Sequence, residues 1–177
     1  MRLEGEAWAR YFRDFASSAF RLELRQVYTM PGEQAELARF RAGERPPADY
    51  HYGWLDTVAE ARRQGKTMRR VRVVYRPLTD YTEYEFSWGF AWNVDAGEDI
   101  RVLDLTGQAW PALPDHDFWL FDESTVVEML YREDGTQIAR NLMDHPDLGA
   151  YLGWRDYAWE SAIPFRDYWQ DVPTSRV

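Results

Sequence analysis

The 177-residue chain contains no cysteine. That absence excludes disulfide bonds, thiol catalysis and thiolate metal sites together. Lysine is almost absent as well: Lys66 is the one lysine among 21 basic residues, so nearly every positive charge is an arginine. No apolar run approaches the roughly 20 residues of a membrane-spanning helix, and the charged N-terminus has no apolar signal core. We therefore expect a cytoplasmic protein without a membrane segment.

Positive charge is scarce overall, since 30 acids stand against 21 bases and the net charge is −9. Because phosphate backbones repel an acidic protein, we expect no direct nucleic-acid binding. His51, His116 and His145 lie far apart and match no metal-ligand spacing. The scattered glycines form no phosphate-binding loop. The sequence therefore predicts neither a metal nor a cofactor.

Aromatic residues, in contrast, are abundant, with nine Trp, eleven Tyr and nine Phe. A chain of this length and of 45% hydrophobic composition fits one folded domain. Each large ring can bury about 150–250 Å². An aromatic core is the favoured interpretation, and an aromatic cleft or interface is the alternative, because Trp and Tyr are also enriched where one edge stays wet.

Alternating apolar and polar residues predict most of a sheet in the second half of the chain. The predicted strands are 69–76, 99–105, 117–122, 125–132 and 136–143, with a hairpin turn at Glu133-Asp134-Gly135. A further strand over 20–28 is predicted to be half-buried, with Arg21 and Glu23 on its solvent side. These elements predict a single α+β domain with a mixed, mainly antiparallel sheet of about five or six strands packed with helices.

Helical spacing of apolar residues predicts the remaining elements. Helices are expected over 4–19, 53–64 and 147–162, with a short helix opened by Pro31 and one further turn after Pro164. The last residues, 171–177, are predicted to fray. The single domain thus divides into a mainly helical part over 1–65, a sheet core over 69–143 and C-terminal helices over 147–169.

The apolar residues over 79–92 fit both the helical period and the strand period. As a helix, one face would carry Tyr81, Tyr84, Trp88 and Trp92. As a strand, the buried side would carry Tyr84, Phe86, Trp88, Phe90 and Trp92. We favour a helix to about Trp88 and then a loop through Gly97, because Pro77 and the capping residue Asp80 stand at its start.

The basic residues concentrate beside this segment. Arg70, Arg72 and Arg76 are predicted to share one solvent face of their strand, which would form a surface for an anion or an acidic partner. The neighbouring aromatic cluster with Glu85 would line a pocket or interface, or else pack in the core. The predicted binding residues are Arg70, Arg72, Arg76, Tyr81, Tyr84, Glu85, Trp88 and Trp92.

Several short motifs occur in a familiar order: RVRVV, PLTDY, DAGEDIRVLDL and LPDHDFWLFDESTVVEMLY. A closing helix follows with Pro146-Asp147-Leu148, Ala158-Trp159 and Ala162–Pro164. Over nearly its whole length the chain resembles an uncharacterised family of actinobacterial proteins known as a domain of unknown function. Such proteins often occur near small helix-turn-helix regulators, so the resemblance implies a regulatory or partner-binding role.

The segment AGEDIRVL…LPDHDFWLFDESTVVEM also resembles one half of a phospholipase D-like fold, as in non-catalytic ligand-sensing domains of transcription regulators. Active members of that family carry a His-x-Lys-x4-Asp motif. Alignment on His116 puts Phe118 at the lysine position and Glu123 at the aspartate position. The loss of the lysine argues against phosphodiester chemistry by the family mechanism. The resemblance in fold then implies a binding module with a degenerate site around His116 and Glu123.

Two functional hypotheses follow. The leading one is a non-catalytic, cytoplasmic regulatory or interaction protein that binds a protein partner, such as a helix-turn-helix regulator, or a small ligand through residues 70–92. The alternative is a small enzyme that acts on a phosphate- or carboxylate-bearing substrate with a degenerate phosphodiesterase-like site. In that enzyme His116 would be the acid or base, with Asp117 or Glu123 orienting it. Arg101 would hold the anion.

Overall fold

The computed structural model describes residues 1–171. Its strands are β1 (Ser18–Glu23), β2 (Thr67–Val74), β3 (Asp99–Asp104), β4 (Asp117–Phe121), β5 (Thr125–Tyr131), β6 (Gln137–Leu142) and β7 (Ile163–Pro164). Its α-helices are α1 (Gly5–Asp14), α2 (Gln34–Arg41), α3 (Gly53–Arg63), α4 (Asp80–Tyr84), α5 (Ala91–Ala96), α6 (Leu148–Ser161) and α7 (Phe165–Asp171). Of the end predicted to fray, residue 171 is helical and residues 172–177 lie outside the described range.

All seven strands join one mixed sheet in the order β6-β5-β4-β1-β2-β3-β7. The pairs β1–β2 and β2–β3 are parallel, and every other neighbouring pair is antiparallel. The predicted α+β class with a mixed, mainly antiparallel sheet is confirmed. The sheet has seven strands rather than five or six, because the two residues of β7 add an edge strand where only a helix end was expected. None of the helices within residues 1–171 is long and apolar enough to span a membrane.

The junction between α1 and β1 corrects the predicted bounds at the N-terminus. The helix expected over 4–19 ends at Asp14, and the strand expected over 20–28 runs from Ser18 to Glu23. A distant carboxylate explains the difference: Asp122 accepts the backbone N–H groups of Ala16 and Ser17, each at 2.7 Å, and that of Ser18 at 3.0 Å. These bonds satisfy the backbone of a turn that local periodicity does not indicate.

Residues 80–96 form one helical run, so the helical interpretation of 79–92 is right and the predicted loop after Trp88 is wrong. Between α4 and α5 lies a π-helical segment, Glu85–Phe90, without a break in the backbone. Helix and strand periods both fitted because both sides of the run are covered. One side packs on Phe165 of α7 and the other on Phe40 of α2.

The two faces of the sheet differ in chemistry. One face packs a largely apolar layer on α6, with Leu22, Val71 and Phe118 against Tyr151 and Ala158. The other face has an apolar end that packs on α1 and α3. Its central positions on β1 and β2 instead carry charged side chains, and these line the candidate functional site.

Candidate functional site

The parallel register of β1 and β2 sets Arg21 beside Arg70 and Glu23 beside Arg72. Arg21, Glu23 and Arg72 are buried, and the side chain of Arg70 is only 11% exposed. The prediction that these side chains face solvent is therefore wrong for all four, whereas Arg76, beyond the end of β2, is exposed. Parallel strands joined by helical crossovers are covered on both faces, so charges on them must pair within the protein.

Arg70 and Arg72 each pair with carboxylates brought by other elements. Arg70 donates from Nη1 to Glu23 Oε1 and from Nε to Glu98 Oε1, both at 2.8 Å. Arg72 donates from Nε to Glu85 Oε2 at 3.0 Å. Glu85 lies in the π-helical segment and Glu98 directly precedes β3, so the pairs connect the helical run to the sheet.

Arg21 pairs at the other end of the same network. Its Nη2 atom donates to Asp117 Oδ2 at 2.9 Å and to the Tyr131 hydroxyl at 3.0 Å. Asp117 also accepts the Tyr28 hydroxyl at 2.5 Å and the Leu24 backbone N–H at 2.9 Å. Burial raises the pKa of Asp117 although the bonds from Arg21 and Tyr28 oppose that rise. We call this whole set of paired residues the charge network.

Carboxyl groups outnumber guanidinium groups in this part of the sheet face. The guanidinium groups are those of Arg21, Arg70, Arg72 and Arg140, and the carboxyl groups are those of Glu23, Glu33, Glu85, Glu98 and Asp117. Burial raises the pKa of Glu85 to about 8, against the attraction of Arg72, and burial also raises the pKa of Glu33. Burial, together with the nearby Glu23 and Glu33 carboxyls, therefore favours a bound proton on Glu85.

The wild-type protein is expected to lose stability as the pH rises from about 5 to about 8, and Glu85→Gln is expected to lose much less over the same range. A carboxyl whose pKa is about 8 in the folded protein, against 4.5 ordinarily, holds its proton more tightly when folded. Its contribution to stability is therefore complete below pH 4.5 and disappears as the pH rises through about 8. Urea unfolding across this range measures it, with Glu133→Gln in the exposed β5–β6 turn as control. Parallel profiles for wild type and Glu85→Gln would contradict the prediction.

Two adjoining cavities open over the charge network. The smaller, of about 220 Å³, is lined by Arg21, Glu23 and Arg140 among others, and we call it the polar cavity. The larger, of about 350 Å³, we call the aromatic cavity. Its ring-bearing walls are Tyr50, Tyr52, Trp54, Tyr84, Trp88 and Phe90. The residues that border both cavities are Glu33, Trp54, Arg70 and Glu85.

Three buried polar atoms in the lining of the polar cavity have no hydrogen-bond partner within residues 1–171. They are Arg21 Nη1, Glu23 Oε2 and Arg140 Nε. An unpaired buried polar group costs about 1–3 kcal/mol, and more when it is charged. Unpaired donors and an unpaired acceptor beside one cavity are the chemistry expected of a binding site.

The structure brings together most, but not all, of the predicted binding residues. Those that line the two cavities are Arg70, Tyr81, Tyr84, Glu85 and Trp88. Arg72 is fully buried in the charge network, and Arg76 instead pairs with Asp104 at 2.8 Å. Trp92 is half-buried and packs against Tyr50. The aromatic cluster is thus core, with one edge on a cavity.

Sequence reasoning missed Arg21, Glu23 and Glu98 as site residues. The available signal was the alternation of charges on two strands that are separated by helices. Such strands pair in parallel and are covered on both faces, so their charged positions indicate an internal network rather than a solvated face.

His116 borders a different cavity, of about 510 Å³. Its Nδ1 atom lies 3.1 Å from Asp115 Oδ1, and its Nε2 atom lies 3.0 Å from the Tyr151 hydroxyl and 3.6 Å from Glu128 Oε1. The neighbouring Asp117 is bonded to the charge network instead. The hydrogen bonds of His116 are therefore not the ones predicted for an enzyme.

The other residues of the enzyme hypothesis are engaged elsewhere. Glu123, past the far end of β4, pairs with Arg155 at 2.6 Å. The guanidinium of Arg101 lies 4.0 Å from the ring centroid of Trp159. The four-residue constellation is not assembled, and a chemical role for His116 stays a prediction. Within the described part of the chain, no three His, Asp or Glu side chains are grouped as metal ligands.

The fold is similar to a solved structure of a phospholipase D family member, Nuc from Salmonella typhimurium. The similarity covers 90% of this chain and 91% of that chain, with a TM-score of 0.51 and 10% sequence identity. At that identity the likeness concerns the fold alone, and it confirms the predicted resemblance at that level. No curated protein matches the chain in sequence.

The sequence itself matches one family, described as Domain of unknown function (DUF6879), over residues 6–170. The match spans nearly the whole chain and includes every strand of the sheet. It agrees with the order of motifs from RVRVV to the closing helix. The chain therefore belongs to the DUF6879 family of domains of unknown function.

Proposed function

We propose that this protein is a non-catalytic, cytoplasmic regulatory protein that binds a small ligand in the polar and aromatic cavities. The observation that carries the proposal is the set of unpaired buried atoms, Arg21 Nη1, Glu23 Oε2 and Arg140 Nε, in the lining of one cavity. A ligand with matching polar groups would remove their desolvation penalty.

The position of the cavities gives binding a route to regulation. Their walls come from β1 and β2 of the sheet, from the Glu85–Phe90 segment and from the Tyr50–Trp54 stretch that leads into α3. A ligand held there contacts the sheet and the helical run together. Binding then favours one arrangement of the helices on the sheet over others. A protein partner that binds the helical surface in that arrangement would therefore bind more of the molecules when the ligand is present.

The test uses a substitution that fills the aromatic cavity. Gly89 lines this cavity, and a Cβ atom there would approach nothing closer than the Tyr52 hydroxyl, at 3.8 Å. Gly89→Leu should therefore occupy the ligand's space while the protein still folds. The matched control is Gly153→Leu on the exposed surface of α6, where a Cβ atom would meet nothing within 4 Å.

The three proteins are incubated with a deproteinised small-molecule extract of the native cells and examined by native mass spectrometry and thermal unfolding. We expect wild type and Gly153→Leu to retain one compound and to gain about 5 °C or more in unfolding temperature at saturation. We expect Gly89→Leu to bind it at least about tenfold more weakly, the effect of about 1.4 kcal/mol. Failure of every compound to bind, or equal binding by Gly89→Leu, overturns the proposal.

A further inference from the structure

We infer that the ligand carries a carboxylate and an ammonium group close together, in the manner of a free amino acid with an apolar side chain. This inference rests on the proposed function, because it names the chemical class of the ligand for the same two cavities. It follows from which atoms of the polar cavity are donors, which are acceptors and how the acids are distributed.

Two guanidinium groups supply the donors. Arg21 donates from Nη2 to Asp117 and Tyr131 and from Nε to Glu23, which leaves its buried Nη1 atom without an acceptor among residues 1–171. Arg140, on β6, has a buried Nε atom that also lacks an acceptor in that range, and both side chains line the polar cavity. Guanidinium groups present planar donors that match a carboxylate, so one carboxylate between them would satisfy both atoms.

The acceptors lie on the other side of the polar cavity. Glu23 Oε1 accepts hydrogen bonds from Arg70 and, at 3.4 Å, from Arg21 Nε, whereas Glu23 Oε2 is buried without a donor in the described part of the chain. Glu33 and Glu85 border the same space, and burial raises the pKa of each carboxyl. An ammonium group beside these acids would supply the N–H donor that Glu23 Oε2 lacks within residues 1–171.

The residues that carry the unpaired donor and the unpaired acceptor lie close together. This favours one small molecule that carries both a carboxylate and an ammonium group. Arg21 and Glu23 are two residues apart on the same face of β1, and Arg21 Nε lies 3.4 Å from Glu23 Oε1. A simple anion would leave Glu23 Oε2 without a donor, and a simple cation would leave Arg21 Nη1 and Arg140 Nε without acceptors. A zwitterion satisfies both ends and adds no net charge to the buried site.

The adjoining aromatic cavity then receives the ligand's side chain. Its volume of about 350 Å³ and its ring-lined walls suit an apolar group. The carboxyls shared by the two cavities, Glu33 and Glu85, lie where the polar head would meet that side chain.

The experiment is calorimetric titration of the full chain with the free L-amino acids, each compared with its carboxamide and its N-acetyl derivative. We expect at least one apolar or aromatic amino acid to bind, and both blocked forms to bind about tenfold or more weakly, because each loses a charge-assisted hydrogen bond. Arg140→Gln should weaken the binding of the free amino acid by a similar factor. It should leave the affinity for the carboxamide unchanged, since that form already lacks the carboxylate.

The control variant is Arg132→Gln, an exposed arginine of the β5–β6 hairpin outside both cavities, which should bind like wild type. Equal binding of the free and blocked forms overturns the inference, as does an effect of Arg140→Gln no larger than that of Arg132→Gln. A different outcome separates the two proposals. If the compound retained from the extract lacks a carboxylate or an ammonium group, and Gly89→Leu still weakens its binding, this inference is overturned and the proposed function stands. Failure of all amino acids and of every extract compound overturns both.

Discussion

Arg70→Met is expected to lower the free energy of unfolding by about 3–5 kcal/mol, as breaking one side of a buried ion pair does. The reason is that Arg70 is the partner of two carboxylates, Glu23 and Glu98, each at 2.8 Å. The side chains of these acids are 8% and 0% exposed, so neither can be solvated when the arginine is removed. Methionine fills a similar volume but returns no donor.

The neighbouring residue provides the control. Arg69 is exposed, and its guanidinium lies 4.9 Å from the ring centroid of Trp159. Arg69→Met should therefore change stability by no more than about 1 kcal/mol, as surface charges typically do. Urea unfolding of both variants at pH 7 measures the difference. Similar losses for the two would mean that Arg70 lies on a solvent face, as the sequence alone predicted.

Asp117→Ala is expected to be comparably destabilising, by about 3–5 kcal/mol. Removal of the carboxylate takes away the acceptor of the buried Arg21 guanidinium, of the Tyr28 hydroxyl and of the Leu24 N–H. Three donors are then left in a region from which water is largely excluded. Thermal and urea unfolding measure the loss. Asp117→Asn, which keeps an acceptor oxygen but not the charge, should fall between wild type and Asp117→Ala.

Asp115→Ala is the matched control, because Asp115 is two residues away and its side chain is fully exposed. We expect a change within about 0.5 kcal/mol. The pair also separates two roles for this segment. If Asp117→Ala left stability intact and abolished a catalytic activity that depends on His116, the enzyme hypothesis would gain and the structural role of Asp117 would be wrong.

The sequence predicted local elements well where local chemistry decides them. The β5–β6 hairpin is an example: Gly135 has a φ of +85°, and an added Cβ atom would lie 2.6 Å from the Val27 carbonyl oxygen, so glycine is needed at that turn. The strands over 99–104 and 117–121 likewise follow their alternation to within a residue.

The predictions of element bounds and of side-chain exposure failed where residues distant in sequence determine the local structure. The end of α1 depends on Asp122, more than 100 residues away in sequence. The helical run over 80–96 continues past Trp88 because α2 and α7 cover its two sides. The charge network required the knowledge that β1 pairs in parallel with β2, and local patterns do not state which strands become neighbours. The cavities, in turn, depend on that pairing.

The charge network has a consequence for folding that does not depend on any ligand. If β1 slid by one residue along β2, every side chain of β1 would change faces. Phe20 and Leu22 would then lie among the arginines, and Arg21 and Glu23 would enter the apolar layer beside Val71. Misaligned pairings would thus carry unpaired charges in an apolar layer, so the buried ions select against wrong strand alignments during folding.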